Sequence, residues 1–210
     1  DKRLFVTGQG NAALYVVRTD TDTQEVAVGN IPVPRGMAIR GNKLFIANEK
    51  PSSITVFDTL TNKVDRVITV EPSIGDGPQT MAMNDSKQYM YVALAFGRLI
   101  AIDINPASTN YLRIVSTSTP TSSQYHYGVM VIGDTIFITN QADRGIAPNS
   151  IEAYQHSSTN FSQLNLVRTF PTGGVGPYLM TFYNLPNRTI TTRPPSPPRP
   201  VIGRGLVFAP

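Results

Sequence analysis

The chain has no cysteine and no tryptophan, and only two histidines, His126 and His156. Without cysteine there is no disulfide framework, thiolate zinc site or thiol nucleophile, and two histidines are too few for a polyhistidine metal centre. No apolar run approaches the roughly 20 residues that a bilayer-spanning helix needs. Acidic residues are missing beyond Glu152, whereas Arg168, Arg188, Arg193, Arg199 and Arg204 follow it. The net charge of +4 therefore belongs to the C-terminal part, and the body before it is nearly neutral. Four of those five arginines lie in a proline-rich stretch without interleaved aromatic side chains for bases to stack on, so a nucleic-acid partner is not expected. The first residue is Asp1, with no charged-then-apolar leader before Leu4, which fits a processed product or a fragment.

What is present is a repeat. Ser and Thr total 36 against 32 charged residues, the composition of a β-rich and extracellular surface. A short apolar strand after a tight turn recurs as Met37-Ala38-Ile39, Met81-Ala82-Met83, Val129-Met130-Val131 and Met180-Thr181-Phe182, in steps of 44, 48 and 51 residues. A β-branched and aromatic run follows each of the first three: Leu44–Asn48, Met90–Leu94 and Ile136–Asn140. The same run opens the chain as Leu4–Gly8. Third strands are expected at 13–17, 54–58, 99–103 and 151–154, and fourth strands at 25–28, 64–70, 111–115 and 164–168.

Four short antiparallel strands in about 45 residues is the arithmetic of a β-propeller blade, so the expected fold is an all-β propeller with about four blades visible. A β-sandwich would not require the same four-strand phrase to return in register. The phrases Leu4-Phe-Val-Thr-Gly, Leu44-Phe-Ile-Ala-Asn and Ile136-Phe-Ile-Thr-Asn resemble the YVTN-type propeller repeat of surface-layer-like proteins and, more distantly, lactonase-like propellers. The resemblance spans roughly residues 4–182 and speaks to fold more than to function.

The expected organisation is blades over 1–182, a Pro/Arg-rich inserted loop over 183–204, and the start of a further blade strand over 205–210. The first unit lacks its first strand, and a second-type strand stands at both ends. The expectation is that the 210 residues are part of a longer propeller, with a four-bladed closed ring as the alternative. Pro194–Pro200 favours an extended polyproline II segment.

Propeller geometry, carried over from the resemblance, brings Arg35, Gln79, Tyr127 and Tyr178 to equivalent positions around the channel mouth. His126, between two tyrosines, is the best single candidate for acid–base chemistry, with no evident second ligand. The first strands carry methionines (Met37, Met81, Met83, Met130, Met180) and no Asp or Glu, which argues against a metal-assisted hydrolase in these blades. The methionines are expected to be core filler rather than copper ligands, and Asp58 and Asp103 to serve Asx-turns rather than calcium. No metal or cofactor is expected. Sequons at Asn84, Asn160 and Asn187 would decorate the face opposite the mouth and imply secretion. The leading functional expectation is a non-enzymatic extracellular or cell-surface scaffold that binds a protein or glycan partner through the channel mouth or open blade edges. The alternative is a lactonase-like hydrolase whose catalytic groups lie largely outside these blades.

Overall fold

The structure, a computed structural model, describes residues 2–120, 124–142, 149–173, 177 and 180. Every regular element among them is a strand. The first blade has three strands, β1 (Arg3–Gly8), β2 (Ala13–Arg18) and β3 (Thr23–Val28). The second is β4 (Pro34–Arg40), β5 (Lys43–Asn48), β6 (Ser53–Asp58) and β7 (Lys63–Thr69). The third is β8 (Pro78–Met83), β9 (Tyr89–Leu94), β10 (Arg98–Asp103) and β11 (Ile114–Ser118). The fourth is β12 (Gln124–Ile132), β13 (Thr135–Ala142), β14 (Ser150–His156) and β15 (Gln163–Pro171). Neighbours within each blade pair antiparallel in chain order. The third and fourth blades are joined at their outer strands, where Thr117 and Ser118 pair in parallel with Gln163 and Leu164.

Three apolar layers hold the blades face to face. Leu14, Val16, Leu44, Ile46 and Phe57 fill the space between the first and second blades. Phe45, Val56, Met90, Val92, Ile100 and Ile102 fill the second seam. Tyr91, Leu99, Ile136, Ile138, Tyr154 and Leu164 fill the third. A middle strand faces one layer on each side, which is why Leu44–Asn48 is buried at every residue. Each fully buried Ile or Phe stabilises by about 1.5–3 kcal/mol. The outer strand β7 buries only Ile68. Met37 joins the first layer and Met81 and Met83 the second, so these sulfurs are core filler.

Two expectations need correction. The fourth strand of the third blade begins at Ile114, not Tyr111. Leu112 adopts a left-handed φ of 61° and donates its N–H to the Asp103 carbonyl at 2.7 Å, which turns the chain before the strand starts. The residues expected just ahead of each first strand lie inside it, since β4, β8 and β12 begin at Pro34, Pro78 and Gln124. The Asx-turns are as expected: Asp58 Oδ1 accepts the N–H groups of Leu60 and Thr61, and Asp103 Oδ1 that of Asn105. Residues 181–210, with all but Met180 of the strand expected at 180–182, the inserted loop and the further strand, lie outside the described residues.

Candidate functional site

Strand reversal alternates the connections between two faces. The upper face carries β3–β4, β5–β6, β7–β8, β9–β10 and β11–β12. At its rim each inner strand has one residue more than its partner. Pro34 pairs with Asn48 and pairing resumes at Met37 with Ile46; Pro78 pairs with Leu94 and Met81 with Val92; His126 pairs with Asn140 and Val129 with Ile138. Two residues against one is a β-bulge, which bends the strand and re-aims its side chains. The bulged pairs are Arg35-Gly36, Gln79-Thr80 and Tyr127-Gly128. The bulges also let neighbouring inner strands meet. The Thr80 hydroxyl donates to the Tyr127 carbonyl across the third seam.

The structure brings Arg35 and Gln79 together and ties both down. Arg35 donates from Nε to Glu49 Oε2 at 2.6 Å and makes a second contact from Nη2. Glu49 thus serves Arg35 rather than Lys50, its neighbour in sequence. Gln79 is buried and donates its amide to the Gly77 carbonyl at 3.0 Å. Gly77 separates the two side chains, since a β-carbon there would stand 3.5 Å from Glu49 Cγ and 3.7 Å from Gln79 Nε2. Tyr127 is half-buried; its ring stacks on Tyr125 with centroids 6.4 Å apart, and Tyr125 lies 5.2 Å from Phe96. Phe96, at the tip of the β9–β10 turn, is 53% exposed. Tyr178 lies outside the described residues.

His126 has no exposed surface. Its Nδ1 meets the Arg98 carbonyl at 3.2 Å across the third seam, and its Nε2 lies 3.5 Å from Glu152 Oε2. Tyr154 donates its hydroxyl to the same oxygen, and Asn140 its amide to Oε1, each at 2.7 Å. Burial pushes the Glu152 carboxyl up, but its contacts with His126, Tyr154 and Asn140 outweigh this and hold it below the usual carboxylate range. Burial and the adjacent Glu152 charge push the Tyr154 phenol well above its ordinary value. The register of the other blades places apolar or neutral groups where this set stands. Proline replaces His126 at 34 and 78, and Thr55 and Ile100 replace Glu152. Sequence reasoning found His126 but missed Glu152. The available signal was a lone acid in the apolar run Ile151-Glu152-Ala153-Tyr154.

The opposite face carries two of the sequons. Asn84, in the β8–β9 turn, is half-buried, with Oδ1 accepting from the Gln88 and Tyr89 main chain and Nδ2 donating to Ser86. Asn160, in the β14–β15 turn, is exposed, and its Oδ1 accepts from both the main chain and the hydroxyl of Ser162. Asn187 lies outside the described residues. Between these two turns, His156 stacks on Phe161 at 4.0 Å and 7° and reaches the Tyr91 hydroxyl at 2.9 Å. Among the described residues no three His, Cys, Asp or Glu side chains gather in a metal-holding group.

No protein-family profile matches the chain, and no curated protein sequence matches it. Solved structures do. A candidate 6-phosphogluconolactonase from Bacteroides uniformis ATCC 8492 superposes with a TM-score of 0.66 at 14% identity, over 88% of this chain and 58% of its own. A second from Bacteroides fragilis NCTC 9343 gives a TM-score of 0.66 at 13% identity, over 86% of this chain and 58% of its own. The dihydro-heme d1 dehydrogenase NirN gives 0.58 at 11% identity, over 79% of this chain and 34% of its own. The chain therefore spans 58% of the length of either lactonase candidate. At these identities the likeness carries fold alone: four consecutive antiparallel units packed face to face, with an all-β core, make this chain a β-propeller.

Proposed function

We propose that this β-propeller is a non-enzymatic extracellular or cell-surface binding module with YVTN-type repeats, which takes a protein or glycan partner on its upper face. The observation that carries this reading is the state of the side chains at the rim. Arg35, though exposed, is paired with Glu49, the buried Gln79 is held by Gly77, and His126 and Glu152 are buried, so the rim presents no unengaged acid–base group among these residues. The row Phe96–Tyr125–Tyr127 remains at the surface, and aromatic rings backed by polar groups suit recognition of sugar faces or of partner side chains. The first blade adds an edge, because among the described residues β1 pairs with β2 alone. The test is binding of the purified chain to a glycan array and to a cell-surface extract, with Phe96→Ala/Tyr125→Ala as the control. Binding that the double variant loses supports the reading; binding that it retains moves the site elsewhere.

The likeness to two lactonase candidates favours a second reading, a lactonase-like hydrolase whose catalytic groups lie largely outside these blades. Turnover of a sugar-lactone panel by the complete-length protein would establish it over the binding module.

A further inference from the structure

A shallow, open cleft of about 310 Å3 lies on the outer rim where the third and fourth blades are spliced. Arg98, Thr117, Ser118, Thr119, Ser162 and Gln163 line it, and no carboxylate does among the described residues. The volume falls at the lower end of small-molecule sites.

Among the described residues, Arg98 is the only charged group of this lining. Its stem runs beneath the β7–β8 loop: a β-carbon on Gly75 would stand 3.4 Å from Arg98 Cδ, and Gly75 itself sits at a φ of +149° that disfavours side chains. Its carbonyl accepts from His126, which fixes the backbone. The guanidinium makes no ion pair or hydrogen bond with a described residue, in contrast to Arg18, Arg35 and Arg40, which bind Asp20, Glu49 and the Ile104 carbonyl. A half-buried cation on a packed stem offers a pre-set fork of N–H donors to an oxyanion.

The hydroxyls beside it are complementary in role. Ser118 Oγ accepts the Leu99 N–H at 3.0 Å, so its own proton is left to donate. Ser162 Oγ donates to Asn160 Oδ1 at 2.7 Å, so its lone pairs are left to accept. A hydroxyl donor and a hydroxyl acceptor in one lining, together with one positive charge, match a ligand with several hydroxyls and one negative charge. A phosphate dianion would call for a second cation, which the lining lacks. We propose that this cleft binds a monoanionic sugar, the carboxylate of a uronic acid lying on Arg98 and its hydroxyls on the serine and threonine rim. The cleft shares no residue with the row Phe96–Tyr125–Tyr127 and stands or falls without it.

Titration of the full chain with glucuronate, glucose and acetate, followed by the amide shifts of Leu99, Thr117 and Gln163, tests the proposal. Saturation by glucuronate at or below about 10 mM, with neither glucose nor acetate matching it, is the expected result. Arg98→Gln should weaken glucuronate at least about tenfold, and Thr119→Val provides a second reading if the first variant does not fold. Failure to saturate, equal binding of glucose, equal binding of acetate, or insensitivity to both substitutions overturns it.

Discussion

Gly36 stands against the main chain of Gln79 and Thr80, so closely that a β-carbon on it would lie 2.8 Å from the Gln79 carbonyl oxygen and 2.8 Å from Thr80 Cα. Both neighbours are backbone and cannot rotate away. Gly36→Ala must push β4 and β8 apart. The expected cost is about 1–3 kcal/mol, read as a lower urea midpoint at unchanged slope. Gly41→Ala, where no atom lies within 4 Å, supplies the comparison for left-handed strain without a clash.

The carboxylate of Glu152 is stabilised in the folded chain. Its folded pKa is lowered, so its contribution is present above the unfolded value of about 4.5 and is lost as pH falls through the folded one. Removing it by Glu152→Ala leaves His126, Tyr154 and Asn140 facing a void. A loss of about 3 kcal/mol at pH 7 is expected. Denaturant curves from pH 7 to 3 should show a shallower acid limb in Glu152→Gln than in the parent.

Burial lowers the His156 pKa below 6.5, against a smaller upward pull from the Phe161 carbonyl. The neutral ring therefore favours folding above pH 6.5, and that advantage fades as pH drops through the lowered value. A proton NMR titration should give His156 a midpoint below 6.5. Phe161→Ala, which strips one face of the ring, should move the midpoint back towards 6.5.

Asp58 sits in an Asx-turn and accepts from Lys43 Nζ at 2.8 Å, which together hold its pKa at about 2. Its carboxyl carbon shift should stay flat between pH 7 and 3 in an NMR titration. In Lys43→Met, the midpoint should rise towards 3.8.

The strand runs were legible because blade interiors demand β-branched and aromatic residues at a fixed period, as in Leu44–Asn48 and Ile136–Asn140. The bulges were not. A bulge is one extra residue in a register, and Pro34-Arg35-Gly36 reads equally well as a turn before a strand. The Tyr111–Arg113 segment looked like strand by composition, but a left-handed Leu112 decides otherwise. His126 stood out in the sequence as a type of residue, and its burial did not, because the groups that enclose it come from Arg98, Asn140 and Glu152 in three other strands.

The splice between β11 and β15 gives the molecule a mechanical grain. Two seams hold by side-chain packing and scattered single bonds, whereas at the third the Thr117 N–H reaches the Ser162 carbonyl and the sheet runs on from one blade into the next. Pulled from its two ends, the arc should yield first where blades merely lean on one another, leaving the spliced pair as the last piece to come apart.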